Sequence, residues 1–174
     1  MGNSPRAGRA IGAMFFSVFG SLWNLSWAWQ AHRGNWILLA VIAIAGLTIL
    51  TCAIRISTQN AGSSCPATPE SKRSDRYFHL INFGQWIVIN LGKAEWVVMS
   101  VIFIVGLHFI PMARLFNYAP HYALGVVIML WSVSYPKLAD GPADPIGALG
   151  MGLLLWSGAV YALHSKTPSV PLSV

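Results

Sequence analysis

The chain has 174 residues, of which 55% are hydrophobic and only 9% are Asp, Glu, Lys or Arg. A soluble domain carries roughly a quarter of charged residues, because its surface must be hydrated. The composition therefore excludes an ordinary soluble domain and a disordered chain. The net charge of +6 comes from scattered residues rather than from a dense basic face, so we expect no nucleic-acid partner. An integral membrane protein remains.

Six stretches without charged side chains predict six transmembrane helices in one membrane domain that covers residues 1–174. A helix needs about 20 apolar residues to cross roughly 30 Å of hydrocarbon. The third and fourth stretches are shorter and almost adjacent, so they tilt, thin the bilayer or extend into their turn. A re-entrant third stretch would reduce the count. The predicted helices cover residues 10–32, 34–54, 77–92, 96–113, 118–136 and 145–164, with a loop over 57–76.

The basic residues predict the orientation of this bundle. With the N-terminus in the cytoplasm, eight of the eleven basic residues fall on the cytoplasmic side. Only Arg33, Lys93 and Lys137 then lie outside, which agrees with the positive-inside bias. Six alternating helices also place the C-terminus in the cytoplasm. The fold class predicted from the sequence is therefore an all-α, six-helix membrane bundle with both termini cytoplasmic.

The third predicted helix carries a polar face. His79, Asn82, Trp86 and Asn90 are spaced by 3, 4 and 4 residues, so they share one side of the helix. Lipid cannot satisfy amides and an imidazole, and this side should therefore face the bundle. One interpretation is the wall of a ligand-binding pocket. The other is hydrogen bonding that holds the helices together.

Two titratable residues of the fourth predicted helix are candidates for acid–base catalysis. Glu95 and His108 are 13 residues apart, which is about 20 Å along a helix, too far for one site. We therefore predict them as alternative, separate sites: Glu95 with Asn90 outside, and His108 with His79 and Asn82 inside. If neither residue is catalytic, Glu95 is a carboxylate favoured by the helix dipole, and His108 is a histidine at the membrane interface.

The first and sixth predicted helices carry small and polar residues for packing. Gly20, Asn24 and Trp27 share a face that should point inward, and we predict that Asn24 and Trp27 contact the ligand. Small residues let helices approach closely. The sixth predicted helix has four such positions: Gly147, Gly150, Gly152 and Gly158.

The sequence contains two distinctive segments. They read G-x-H-F-x-P-x-A-R over 106–114 and F-H-L-I-N-F-G-Q-W over 78–86. Together they resemble segments of small, uncharacterised bacterial multi-pass membrane proteins, over residues 76–125. The resemblance implies only that both segments belong to one unit. It carries over no activity and no site residue. Separately, we expect the protein to lie in a bacterial cytoplasmic membrane.

These features favour an intramembrane pocket that binds a small lipophilic molecule and, in a catalytic version, isomerises or cyclises it by acid–base chemistry. Membrane lipid and that ligand are the expected partners, and a homo-oligomer is compatible with the sequence. One alternative is a small-solute transporter or channel that acts as an oligomer. A second is a haem or metal protein that uses His79, His108 and His121. The two cysteines lack C-x-x-C spacing, so the sequence assigns no metal site and no cofactor, and it leaves enzymatic activity open.

Overall fold

The computed structural model describes residues 5–33, 35–59, 92–115 and 118–165. Within those ranges all regular structure is helical, which confirms the all-α prediction. The helices are α1 (Pro5–Ala31), α2 (Trp36–Gln59), α3 (Val97–Leu115, preceded by a 3₁₀ turn, Ala94–Trp96), α4 (Pro120–Leu138) and α5 (Ile146–His164). They correspond to five of the six predicted helices. The predicted helix 77–92, except Gly92, and all but the first residues of the loop 57–76 lie outside the described ranges.

Three helical stretches in the described residues are long and apolar enough to cross a membrane: Trp36–Thr58, Ala94–Ala113 and Ile146–His164. They correspond to α2, α3 with its preceding turn, and α5. The sequence predicted spans at α1 and α4 as well. Those two helices contain the buried polar residues Ser17, Asn24, His121 and Ser132, which lower their mean hydropathy. The structure therefore supports a membrane protein and leaves the count of six as a prediction.

The outer faces of the helices are strongly apolar. On α2, Ile37 is 79% exposed, and Ile44 and Leu47 are 63% and 61% exposed. Large aliphatic side chains avoid water, whereas the inward side chains of α1 include Ser17 and Asn24. A hydrocarbon environment accounts for this distribution, because it solvates the aliphatic faces and drives polar groups inward.

Helix α5 is central among the described helices, because it contacts α1, α2, α3 and α4. Helix α2 packs on α1, and α3 packs on α4, so the two pairs flank α5 on different sides. The α1–α5 pair is antiparallel, since Gly20 lies against Gly152 whereas Phe16 lies against Gly158. The shared core includes Phe16, Phe109, Ile128, Tyr135, Met151 and Leu155.

Glycines set the closest helix contacts, as the sequence predicted. A side chain added at Gly147, Gly150, Gly152 or Gly158 would approach a neighbouring side chain to less than 3.0 Å. Between α3 and α4 the contact is backbone to backbone. A Cβ atom at Gly125 would lie 2.7 Å from the carbonyl oxygen of Gly106. Only glycine allows the two helices to come this close.

The turn between α4 and α5 is held by three side chains. The Tyr135 hydroxyl donates to the carbonyl of Pro142 at 2.6 Å. The Trp131 indole N–H donates to the carbonyl of Gly147 at 3.1 Å. The Asp144 carboxylate accepts from the backbone N–H of Ile146 at 2.8 Å, which satisfies one free N–H at the start of α5. These bonds hold the α4–α5 hairpin together at this end.

Replacing Asp144 with alanine should remove this hydrogen bond and destabilise the protein by about 1 kcal/mol, similar to the cost of losing a side chain that caps a helix N-terminus. The asparagine variant retains a side-chain oxygen, so its loss of stability should be less than half of that of the alanine variant. The free energy of unfolding in detergent micelles measures the difference. Equal losses for the alanine and asparagine variants would show that the hydrogen bond to Ile146 is not the stabilising contact.

Candidate ligand-binding groove

Four of the predicted ligand-binding residues, His79, Asn82, Trp86 and Asn90, lie outside the described residues. The prediction that His79, Asn82 and His108 line one cavity therefore stays a prediction. The same holds for transport along the polar face of 77–92.

Glu95 and His108 occupy different ends of one helical stretch. Glu95 is exposed in the short turn before α3, where a carboxylate faces the positive end of the helix. His108 is half-buried within α3, which continues through Pro111 to Leu115. The helix between them is continuous, so the geometry agrees with two separate positions rather than one acid–base pair.

Asn24 and Trp27 take different positions on α1. Asn24 is 1% exposed and lies in the α1–α5 contact, where its amide abuts Gly152. Among the described residues, neither amide atom of Asn24 has a hydrogen-bond partner. Trp27 is half-buried and packs edge-on against His32, with 5.3 Å between the ring centroids. The inward direction predicted for Asn24 is thus correct, and its contact with a ligand stays a prediction.

An apolar groove of about 360 Å³ runs between α4 and α5. Phe16 of α1 and His121 of α4 are its most deeply buried lining residues. Four lining residues, Ala123, Val127, Ser157 and Tyr161, are also exposed on the outer surface, so the groove is open along its side. Its lining consists of Phe16, Tyr118, Pro120, His121, Ala123, Leu124, Val127, Leu154, Ser157, Gly158 and Tyr161.

His121 is 6% exposed and lies within a cluster of aromatic rings. The Phe109 ring is stacked on it at 5.8 Å between centroids. The Phe16 and Tyr118 rings meet it edge-on at 5.6 and 4.9 Å. Gly125, one turn after His121, allows α3 to approach closely and so brings Phe109 to the imidazole. The cluster fixes the position of the imidazole at the groove.

The two ends of the groove differ in polarity. At one end the hydroxyls of Tyr118 and Ser165 lie 3.4 Å apart, and the exposed Tyr161 lines the same end. At the other end the lining is aliphatic, with Val127 on α4 and Leu154 on α5. Ser157 lies between them, and its hydroxyl donates to the carbonyl of Leu153 within α5 at 2.8 Å. The groove is therefore amphipathic along its length.

The sequence pointed to His121 only as a metal-ligand alternative and did not place it in a pocket. The one sequence feature that could have pointed to His121 is local. Tyr118 and Tyr122 flank it immediately after the break between α3 and α4. Phe16 and Gly158 belong to other helices, and neither has a distinctive motif. Their convergence at His121 depends on which helices are neighbours.

The haem or metal alternative required several histidines to converge. Among residues 5–33, 35–59, 92–115 and 118–165, no group of three or more His, Cys, Asp or Glu side chains is placed to hold a metal ion. His79 of the proposed set lies outside those ranges. Metal binding therefore stays a hypothesis without support from the described geometry.

No family model matches the sequence, and no curated protein or solved structure matches the chain. The resemblance of residues 76–125 to bacterial membrane proteins accordingly stays an expectation.

Proposed function

We propose that the protein is a multi-pass membrane protein that binds a small lipophilic molecule in the groove between α4 and α5. The observation that carries the proposal is an apolar groove that opens sideways, where a membrane would surround the helices. Ligand sites are typically concave and apolar, with a few polar groups and a volume of roughly 300 Å³ or more. The groove meets this description, with His121 and the two tyrosines as its polar groups.

The proposed topology retains six spans, cytoplasmic termini and a bacterial cytoplasmic membrane. The exposed aliphatic faces of α2 and α4 and the three apolar spans support the membrane environment. In this topology the start of α4 and the end of α5 both lie on the cytoplasmic side. The groove then lies in the cytoplasmic half of the bilayer and is accessible from the lipid phase.

The lining favours binding over the acid–base site predicted from the sequence. Neither Glu95 nor His108 lines the groove, and its titratable lining residues are His121, Tyr118 and Tyr161. Of these, an imidazole is the group suited to exchange a proton near neutral pH. For isomerisation or cyclisation of a bound molecule, His121 is therefore the residue of the groove to substitute first.

Photolabelling tests the proposal with a matched pair of variants. Val126 and Val127 are neighbours on α4 and are 46% and 44% exposed, but only Val127 lines the groove. A diazirine-bearing long-chain alkanol should label lining residues of α4 and α5 in the purified protein, and excess unlabelled alkanol should suppress that labelling. Val127→Trp should fill the groove and reduce the saturable labelling roughly tenfold, a loss of about 1.4 kcal/mol of binding.

Val126→Trp adds the same bulk at the same depth and should leave the saturable labelling unchanged. The proposal fails if the two tryptophan variants behave alike. It also fails if labelling is spread evenly over the exposed helix faces and excess alkanol does not suppress it.

A further inference from the structure

We infer that the molecule in the groove is a bilayer phospholipid that inserts one acyl chain. Its glycerol end lies at Tyr118 and Ser165, and the end of the chain lies at Val127 and Leu154. The inference rests on the proposed function and specifies its ligand class. Length, volume, polarity and the open side of the groove each support it.

The length of the groove fits within one leaflet. On α4 its lining runs from Pro120 to Val127, which are seven residues apart, or about 11 Å at the helical rise of 1.5 Å per residue. The hydrocarbon core of a bilayer is about 30 Å thick, so one leaflet contributes about 15 Å. In the proposed topology the groove starts at a helix end, where the membrane surface lies, and stays within that leaflet. It therefore runs along the acyl chains of one leaflet.

The volume of the groove suits one slender chain. The groove holds about 360 Å³, which is at the small end of the range for ligand sites. A single acyl chain is a better match to this volume than a whole two-chain lipid.

The polarity of the groove gives the direction of the chain. The hydroxyls of Tyr118 and Ser165 and the exposed ring of Tyr161 lie at the helix ends. Tyrosine is favoured at the level of lipid headgroups, because its ring is apolar and its hydroxyl can be hydrated. Val127 and Leu154 offer only aliphatic contacts. An ester-linked head at Tyr118 and a methyl end at Val127 satisfy both ends.

The open side of the groove favours a two-chain lipid over a free fatty acid. Ala123, Val127, Ser157 and Tyr161 line the groove and are also exposed on the outer face. One chain can therefore enter from the side while the second chain stays in the surrounding bilayer. The lipid does not have to leave the membrane, and most of its second chain remains solvated by its neighbours.

Two phosphatidylcholine probes that differ only in the position of a diazirine test the inference. One has the diazirine close to the ester of one acyl chain, and the other has it at the end of that chain. The full-length protein is reconstituted in phosphatidylcholine vesicles, labelled and analysed by peptide mass spectrometry. We expect the ester-proximal probe to label the Tyr118 and Tyr161 end and the terminal probe to label the Val127 and Leu154 end.

The tryptophan variants provide the control. Val127→Trp should reduce labelling of the groove by the terminal probe roughly tenfold, by the same 1.4 kcal/mol as above, and Val126→Trp should not. A reversed order of labelling, or the same sites for both probes, overturns the inferred direction. Suppression by excess free fatty acid but not by excess phospholipid overturns the inferred ligand class. A Val127-dependent change in protein–protein crosslinks without lipid labelling would identify a second copy instead.

These outcomes separate the two proposals. Saturable, Val127-dependent labelling by the alkanol without labelling by either phospholipid probe contradicts only the phospholipid inference. Loss of Val127-dependent labelling with all three probes contradicts the proposed function itself.

Discussion

Replacing Gly125 with alanine is expected to destabilise the protein by about 2 kcal/mol, within the range seen when atoms are added to a well-packed contact. The new methyl group would lie 2.7 Å from the carbonyl oxygen of Gly106 and 3.0 Å from the Cβ atom of Phe109. The first neighbour is backbone, so it cannot move away by a side-chain rotation. Helices α3 and α4 would have to separate, and Phe109 would then shift from His121.

Gly12 on α1 provides the matched control. Nothing lies within 4 Å of the position that its Cβ atom would take. Alanine there should be neutral or stabilise α1 by up to about 1 kcal/mol, because alanine favours the helix over glycine. Unfolding of both variants by sodium dodecyl sulfate in mixed micelles measures the difference. Similar free energies for the two alanine variants would contradict the close α3–α4 contact.

Replacing Tyr135 with alanine is expected to cost about 4 kcal/mol, the range for removing a large buried aromatic side chain. Tyr135 is 0% exposed and stacks on Trp131 with 5.9 Å between ring centroids. Its ring also covers Gly147, where a Cβ atom would lie 2.6 Å from it. Alanine would leave a cavity between α4 and α5 and would remove the hydrogen bond to Pro142.

Phenylalanine at position 135 separates these two contributions. It keeps the ring and removes only the donor to the Pro142 carbonyl, so we expect a loss of about 1–2 kcal/mol. Tyr122 on the same helix is exposed, and Tyr122→Phe should change the free energy of unfolding by less than about 0.5 kcal/mol. The same unfolding assay applies. If Tyr135→Phe were as stable as the unsubstituted protein, the hydrogen bond to Pro142 would not hold the hairpin.

Much of the fold followed from local features of the sequence. Charges and breaks such as Arg33 and Lys137 mark the ends of the helices, because a charged side chain is costly within the hydrocarbon. The glycines of α5 and the inward direction of Asn24 also followed, since small and polar residues in membrane helices face other helices. These properties depend on one helix at a time, so periodicity along the chain is enough to predict them.

The groove could not be predicted in this way. Its walls include Leu124, Val127 and Leu154, and such residues look the same in a sequence whether they face lipid or a ligand. The spacing of polar residues in the sequence instead predicted a ligand site at His79, Asn82 and Trp86, which lie outside the described residues. What creates the groove is the packing of α4 against α5, with Phe16 of α1 reaching across to His121. Neighbour relations between helices are a property of the tertiary fold and leave no periodic signal in a single sequence.

The membrane assignment shows the limit of counting apolar residues. Helices α1 and α4 contain polar side chains that are costly in lipid but are buried here against other helices. Mean hydropathy is an average over all faces of a helix. Buried polar residues such as Asn24 and His121 therefore lower the values of α1 and α4. The count of six spans stays a prediction from the distribution of the basic residues.

The central position of α5 has a consequence for biosynthesis. Chains are made from the N-terminus, and helices that have entered a membrane separately associate there in a second stage. Helix α5 is made after α1, α2, α3 and α4, yet it contacts all four. Until it inserts, α1 exposes Asn24 without its main neighbour. The last of these helices to leave the ribosome is thus the one that completes the bundle, and quality control that recognises exposed polar groups in the membrane would act in that interval.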